Sequence, residues 1–157
     1  MSLPIIERRR IEAEILKHVY DTLLESHGKE VAVATLDAAV SQSALAQGAK
    51  YRAKIDHDPD LNDMATILSD WTANDALVIE ILNVSAEQLD FDVKQCRYAE
   101  MYQEIGLGEI GHLLSCNRDG KFCTGYNPNM KLERTQTLMG GASHCDFRYQ
   151  MSAKNIP

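Results

Sequence analysis

Leu77-Val78-Ile79-Glu80-Ile81-Leu82 is a nearly continuous apolar run, and a few residues on Leu89-Asp90-Phe91-Asp92-Val93-Lys94 alternates strictly between apolar and charged residues. The first run reads as a strand buried on at least one face. The second has the two-residue period of a half-buried strand, with Leu89, Phe91 and Val93 turned inward. Everything before Leu77 has helical spacing, and most of the chain beyond Lys94 alternates again around one inserted helix. Helices first and strands second predicts an α+β fold, in which N-terminal helices pack on a mainly antiparallel sheet of about five strands. A regular βαβ alternation is excluded by the same order.

Upstream of the switch, Ile11, Ile15, Val19 and Leu23 recur every four residues, with Leu16, Tyr20 and Leu24 widening the stripe. Gly28 supplies a C-terminal stop. A second helical stretch runs from about Glu30 to Asp56, carrying Val33, Leu36, Val40 and Leu45 among many alanines, and Gly48 leaves open one long helix or two shorter ones. Asp58-Pro59-Asp60 breaks the pattern. Asp60 then caps a third helix, with Met64, Ile67, Leu68 and Trp71 facing inward.

Downstream, Tyr98, Met101, Tyr102 and Ile105 share a helical face that Gly106 ends, and Glu109 to Leu114 reads as a short helical turn. Lys121–Tyr126, Lys131–Met139 and Cys145–Met151 are the remaining strand candidates. Asn127-Pro128-Asn129 and Gly140-Gly141 supply turns between them. No repeat, linker or low-complexity segment interrupts the chain, so residues 1–157 are expected to form one domain.

Composition narrows the function. A net charge of −7 and a pI near 5.2 argue against nucleic acid as a partner, because phosphate binding needs a basic surface. The dense cationic run Arg8-Arg9-Arg10 precedes Glu12 and Glu14 on a helix and reads as a solvated face. No basic-then-apolar secretory leader and no long apolar span is present, so a cytoplasmic protein with reduced thiols and no membrane association is expected. The four cysteines, Cys96, Cys116, Cys123 and Cys145, match no CxxC spacing. No metal ligand is assigned and no cofactor is expected, with a divalent metal left open. The long apolar N-terminal helices leave room for a homodimer.

The chemistry concentrates in the last third. Thiols flanked by His, Asp, Asn and Arg suggest a reactive site, since basic neighbours favour the nucleophilic thiolate. Cys145 lies between His144 and Asp146, yet neighbours on a strand point to opposite faces, so the triplet is no triad by itself. Either His144 is a general base, or it faces away from a pocket that Cys145 lines. Cys116-Asn117-Arg118-Asp119 reads as a loop, where Asp119 either acts as a base or makes a turn with Gly120. Cys96 begins a helix, where either free amides stabilise a thiolate or the residue simply packs into the core, and Cys123 looks like strand packing. Arg134, mid-strand, either clamps a substrate carboxylate or pairs across strands. Tyr98, Tyr102, Tyr126 and Tyr149 either line a pocket or fill the core.

Four segments in order, Cys96-Arg97-Tyr98-Ala99-Glu100-Met101-Tyr102, Cys116-Asn117-Arg118-Asp119, Glu133-Arg134-Thr135-Gln136-Thr137 and Gly141-Ala142-Ser143-His144-Cys145-Asp146-Phe147-Arg148-Tyr149, resemble the L-2-amino-thiazoline-4-carboxylic acid hydrolase family. The resemblance implies hydrolytic opening of a five-membered thiazoline ring that carries an amino group and a carboxylate. The reacting carbon of such a ring is amidine-like, and attack by water or a thiolate gives a tetrahedral intermediate. The roles expected for this chain are Cys116 or Cys145 as nucleophile, Asp119 or His144 as proton carrier and Arg134 as carboxylate clamp. Cys96, Asn117 and Tyr98 are expected as further substrate contacts. The competing expectation is a non-catalytic domain that uses the same cysteines to bind a small molecule or metal, or to sense redox state.

Overall fold

A computed structural model describes residues 3–152. Three helices lead, α1 (Ile5–His27), α2 (Lys29–Arg52) and α3 (Leu61–Thr72). Next come β1 (Leu77–Val84), β2 (Gln88–Cys96), α4 (Arg97–Glu104), a π-helical turn (His112–Cys116), α5 (Asn117–Tyr126), β3 (Met130–Glu133) and β4 (Cys145–Met151). The fold is α+β. Its sheet is antiparallel throughout, in the order β1-β2-β4-β3, with four strands among the described residues in place of about five. No helix among the described residues is long and apolar enough to cross a membrane.

The alternation seen in the sequence is the pairing seen in the sheet. Leu89 faces Tyr149, Phe91 faces Phe147 and Val93 faces Cys145 across β2 and β4, and all six are buried. Phe91 and Phe147 stack with ring centroids 4.7 Å apart, which adds about 0.5–1.5 kcal/mol beyond the area they bury. Leu61, Met64, Ile67 and Leu68 of α3, with Phe122 and Tyr126 of α5, complete this cluster. Asp60 caps α3 through a capping box with Asp63.

A second cluster joins α1, α2 and α4 through Ala13, Tyr20, Leu36, Val40, Met101 and Tyr102. Here the expected stripe on α1 is corrected. Ile11, Ile15 and Val19 lie on the exposed side, Ile15 at 65%, and the inward face is Ile6, Arg9, Ala13 and Tyr20. Ala13 carries only a methyl group and is fully buried, which lets the helices close up on that face.

α2 runs through Gly48 without interruption. A Cβ on Gly48 would stand 2.3 Å from the Phe122 carbonyl oxygen, and one on Gly125 would stand 2.3 Å from that of Leu45. The two glycines therefore bring the backbones of α2 and α5 into direct contact. That contact explains a second correction: Lys121–Tyr126 is helix, not strand. The expected loop at Cys116–Asp119 is the junction of the π turn with α5, and the strand expected over Lys131–Met139 ends at Glu133.

Candidate functional site

The two clusters meet around a cavity of about 90 Å³, several times the space one water needs. One cluster contributes Tyr98, and the other contributes Phe91, Val93, Phe122, Cys145 and Phe147. Trp71, the single tryptophan, also lines it and packs edge-on against Phe122 at 5.2 Å.

Cys96, Cys116, Asp119, Arg134 and Cys145 all line this one cavity, each delivered by a different segment. Cys96 sits at the end of β2, Cys116 at the end of the π turn, Asp119 in α5, Arg134 just beyond β3 and Cys145 at the start of β4. π turns of this kind recur at functional sites because they re-aim side chains that a regular helix would stack. Tyr98 lines the cavity too, and its hydroxyl donates to the Trp71 carbonyl at 3.2 Å.

Arg134 ties the polar side together. Its Nη1 donates to Asp119 Oδ2 at 2.8 Å and its Nη2 to the Cys116 carbonyl at 2.8 Å. The guanidinium also stands 4.9 Å from the centre of the Phe147 ring. Asp146, on the opposite face of β4 from Cys145, holds the segment that bears Arg134. It accepts from the Thr135 and Gln136 amides at 2.9 and 3.0 Å and from the Thr135 hydroxyl. Sequence reasoning gave Asp146 no role, although an acid opposite a Thr-Gln loop suggests such a clasp.

Two expected site residues lie outside the cavity. His144 is one position from Cys145 on β4, so the pleat turns it away, and it sits beside Ser143, Gln136 and Asp92. Asn117 is exposed and lines an outer groove with Asp37, Ser41, Gly120 and Lys121, and Cys116 and Arg134 border both spaces. Cys123 is buried and does not line the cavity.

Burial governs the thiols. It pushes Cys116 up to about 12, with the Asp119 charge adding to the effect and Arg134 opposing it. Cys96 is pushed up to about 11 by burial, against the Ala99 amide that donates to its sulfur at 3.4 Å. Cys145 is raised by burial as well, although the Leu138 amide donates to its sulfur at 3.1 Å. The expectation of a preformed thiolate is thus corrected: desolvation outweighs the basic neighbours. Asp119 is raised by burial while Arg134 opposes the rise, and its side chain as a whole remains a quarter exposed. Only Oδ2 is engaged among the described residues, so Oδ1 is free to take a proton.

Two further cavity residues were missed. Arg9, read as part of a solvated run, is 7% exposed. Arg118, quoted in the Cys-Asn-Arg-Asp segment without a role, is 9% exposed. The signal for Arg9 was its place on the Ile6–Arg9–Ala13 face. Among the described residues no group of three or more His, Cys, Asp or Glu side chains is arranged to hold a metal ion.

Fold and site together define an α+β domain enclosing a small, partly apolar cavity with a buried polar wall. The sequence matches the family model for L-2-amino-thiazoline-4-carboxylic acid hydrolase over residues 8–149, and the chain belongs to that family. Membership supports a hydrolase role. Among solved structures, the crystal structure of the phenol-responsive sensory domain of the transcription activator PoxR with phenol is similar, with a TM-score of 0.51. The two are 10% identical, covering 88% of this chain and 74% of that one, so the likeness is one of fold. No curated protein sequence matches the chain.

Proposed function

We propose that this protein is a hydrolase that opens a small carboxylated cyclic amidine of the 2-aminothiazoline-4-carboxylate type. The observation that carries this reading is the convergence of Cys96, Cys116, Asp119, Arg134 and Cys145, from four separate stretches of the chain, on one cavity. Trp71, Phe91, Phe122 and Phe147 give that cavity flat apolar walls suited to a small ring.

Cys116 is the nucleophile and Asp119 the base. Three residues apart at the π turn and the start of α5, both are tied down by the two arms of Arg134. A thiol near 12 is a poor resting nucleophile, but it is still far easier to deprotonate than water, at about 15.7. As Cys116 Sγ attacks the ring carbon between nitrogen and sulfur, its proton passes to Asp119 Oδ1. A ring bond then breaks, the leaving atom takes the proton, and water releases the carbon from Sγ. One water is consumed overall and the thiol is regenerated.

The test is to incubate purified protein with L-2-amino-thiazoline-4-carboxylate, with and without a divalent metal, and follow products by mass spectrometry. A ring-opened product heavier by one water, lost in Cys116→Ala and Asp119→Asn but retained in Cys123→Ala, is expected. Binding without turnover under both conditions would replace the hydrolase by a ligand-binding domain.

A further inference from the structure

The expected carboxylate clamp, Arg134, is already occupied. Both of its terminal nitrogens are engaged within the protein, by Asp119 and by the Cys116 carbonyl. Arg118 is different. Its Nε donates to the Leu114 carbonyl at 3.0 Å and its Nη2 makes a long contact of 3.4 Å with Glu12, but its Nη1 is buried with no partner among the described residues. A buried unpaired donor is costly, and more so on a cation.

The surroundings of Arg118 are also short of negative charge. Arg9, Arg118 and Arg134 line the cavity against one carboxylate, Asp119, which Arg134 takes. Glu12, 41% exposed at its side chain, is shared by Arg9 and Arg118. Arg9 holds both of its oxygens, at 3.0 and 3.1 Å. Among the described residues, at least one buried positive charge is thus left unmatched. Gln47 adds a donor beside the pair: its Oε1 accepts from Arg9 Nη2 at 2.7 Å, which orients its amide, and the amide nitrogen has no partner among the described residues.

We propose that Arg118, supported by Arg9 and Gln47, binds the carboxylate of the ligand, while Arg134 positions Asp119 and Cys116. The site is built for one carboxylate group: one unmatched charge, a fork-shaped donor with a free arm, and an apolar wall for the rest of the molecule. The assignment deepens the reading of the cavity as a hydrolase site and rests on it for the identity of the substrate.

Trp71 reports on occupancy, because it lines the cavity and is the single tryptophan. Its fluorescence is titrated with L-2-amino-thiazoline-4-carboxylate, with the corresponding 4-carboxamide, and with thiazolidine-4-carboxylate, which has no amidine carbon to attack. The wild type is expected to prefer the aminothiazoline carboxylate over its carboxamide, which lacks the carboxylate charge, by about 10- to 100-fold, and to bind the thiazolidine carboxylate as well. Arg118→Gln is expected to abolish that preference, with folding checked by thermal melting. Glu12→Gln, at a half-exposed position, removes the competing carboxylate and is expected to tighten carboxylate binding several-fold, which tests the idea even if Arg118→Gln does not fold.

Undiminished preference in a folded Arg118→Gln, or weaker carboxylate binding in Glu12→Gln, would overturn the assignment while turnover left the hydrolase reading intact. Carboxylate preference that depends on Arg118 in a protein that turns nothing over would uphold the anion site and sink the hydrolase instead. A wild type with no preference for carboxylate over amide overturns the anion site.

Discussion

Asp119→Asn is expected to move catalysis and thiol reactivity in opposite directions. In the native protein burial and the Asp119 charge together push the Cys116 thiol up to about 12 from an ordinary 9.0. Its thiolate population near neutral pH is then about a thousandfold below that of an ordinary thiol, and alkylation should be correspondingly slow. The asparagine removes the second-largest cause of the rise and leaves Arg134, which favours thiolate, without its counter-charge. A neighbouring charge of this kind shifts a pKa by roughly 1–3 units. Alkylation of Cys116 at neutral pH should therefore speed up by about 10- to 1000-fold. Over the same substitution, turnover should fall by about 10²–10⁴-fold because the base is gone. Iodoacetamide labelling read at the Cys116 peptide by mass spectrometry, between pH 7 and pH 10, measures the first effect, and steady-state assays measure the second. Faster labelling of the wild type than of the variant would refute the reasoning. So would a wild-type thiol that is fully ionised by pH 8.

Gly48→Ala places a methyl group 2.3 Å from the Phe122 carbonyl oxygen and 2.8 Å from the Tyr126 amide nitrogen. It should lower stability in urea unfolding by about 1–3 kcal/mol or more, whereas a gain of up to about 1 kcal/mol from helix propensity would show that α2 and α5 are not in contact. Asp146→Ala frees the Thr135–Gln136 segment, so turnover should drop more than thermal stability, and an Asp146→Asn variant should recover part of it. Asp146 is held below its ordinary 3.8: burial pushes upward, but the Thr135 hydroxyl and the Gln136 and Thr135 amides outweigh it. A depressed carboxylate stabilises the fold above its unfolded pKa, and that contribution is lost as pH falls through the lower folded value. Urea midpoints should accordingly fall as pH drops below 3.8, and by less in Asp146→Asn.

Much of the fold was legible because local and tertiary preferences agreed. Leu89, Phe91 and Val93 alternate with charged residues and pair with the equally alternating Cys145, Phe147 and Tyr149, so period and burial coincide. Disagreement produced the errors. Lys121–Tyr126 is rich in strand-favouring Phe, Cys, Thr and Tyr, but Arg118, Phe122 and Tyr126 lie on one helical face. Gly125 also lets that helix rest on the Leu45 backbone, and the packing overrides propensity. On α1 the bulky residues Ile11, Ile15 and Val19 made the louder pattern, while the buried face used small Ala13 and charged Arg9.

Residue chemistry singled out Cys96, Cys116, Asp119, Arg134 and Cys145, which line one cavity. Apart from Cys116 and Asp119, which share one local motif, their convergence needed segments that no local pattern connects. His144 was separable from Cys145 by the pleat alone. Arg9 was overlooked because its run reads as a solvated face and only its place beside Ile6 and Ala13 marks it, and Arg118 because its partner Glu12 lies on a distant helix. The thiol states were misjudged because basic neighbours are visible in sequence and desolvation is not.

The central claim is that Cys116 attacks the ring carbon inside this cavity, and rapid acid quench tests it most directly. Protein mixed with excess L-2-amino-thiazoline-4-carboxylate and quenched during turnover should show, by intact mass and peptide mapping, a substrate-derived adduct on Cys116 that is absent from Cys116→Ala. Turnover without any adduct, together with undiminished activity of Cys116→Ala, would contradict it.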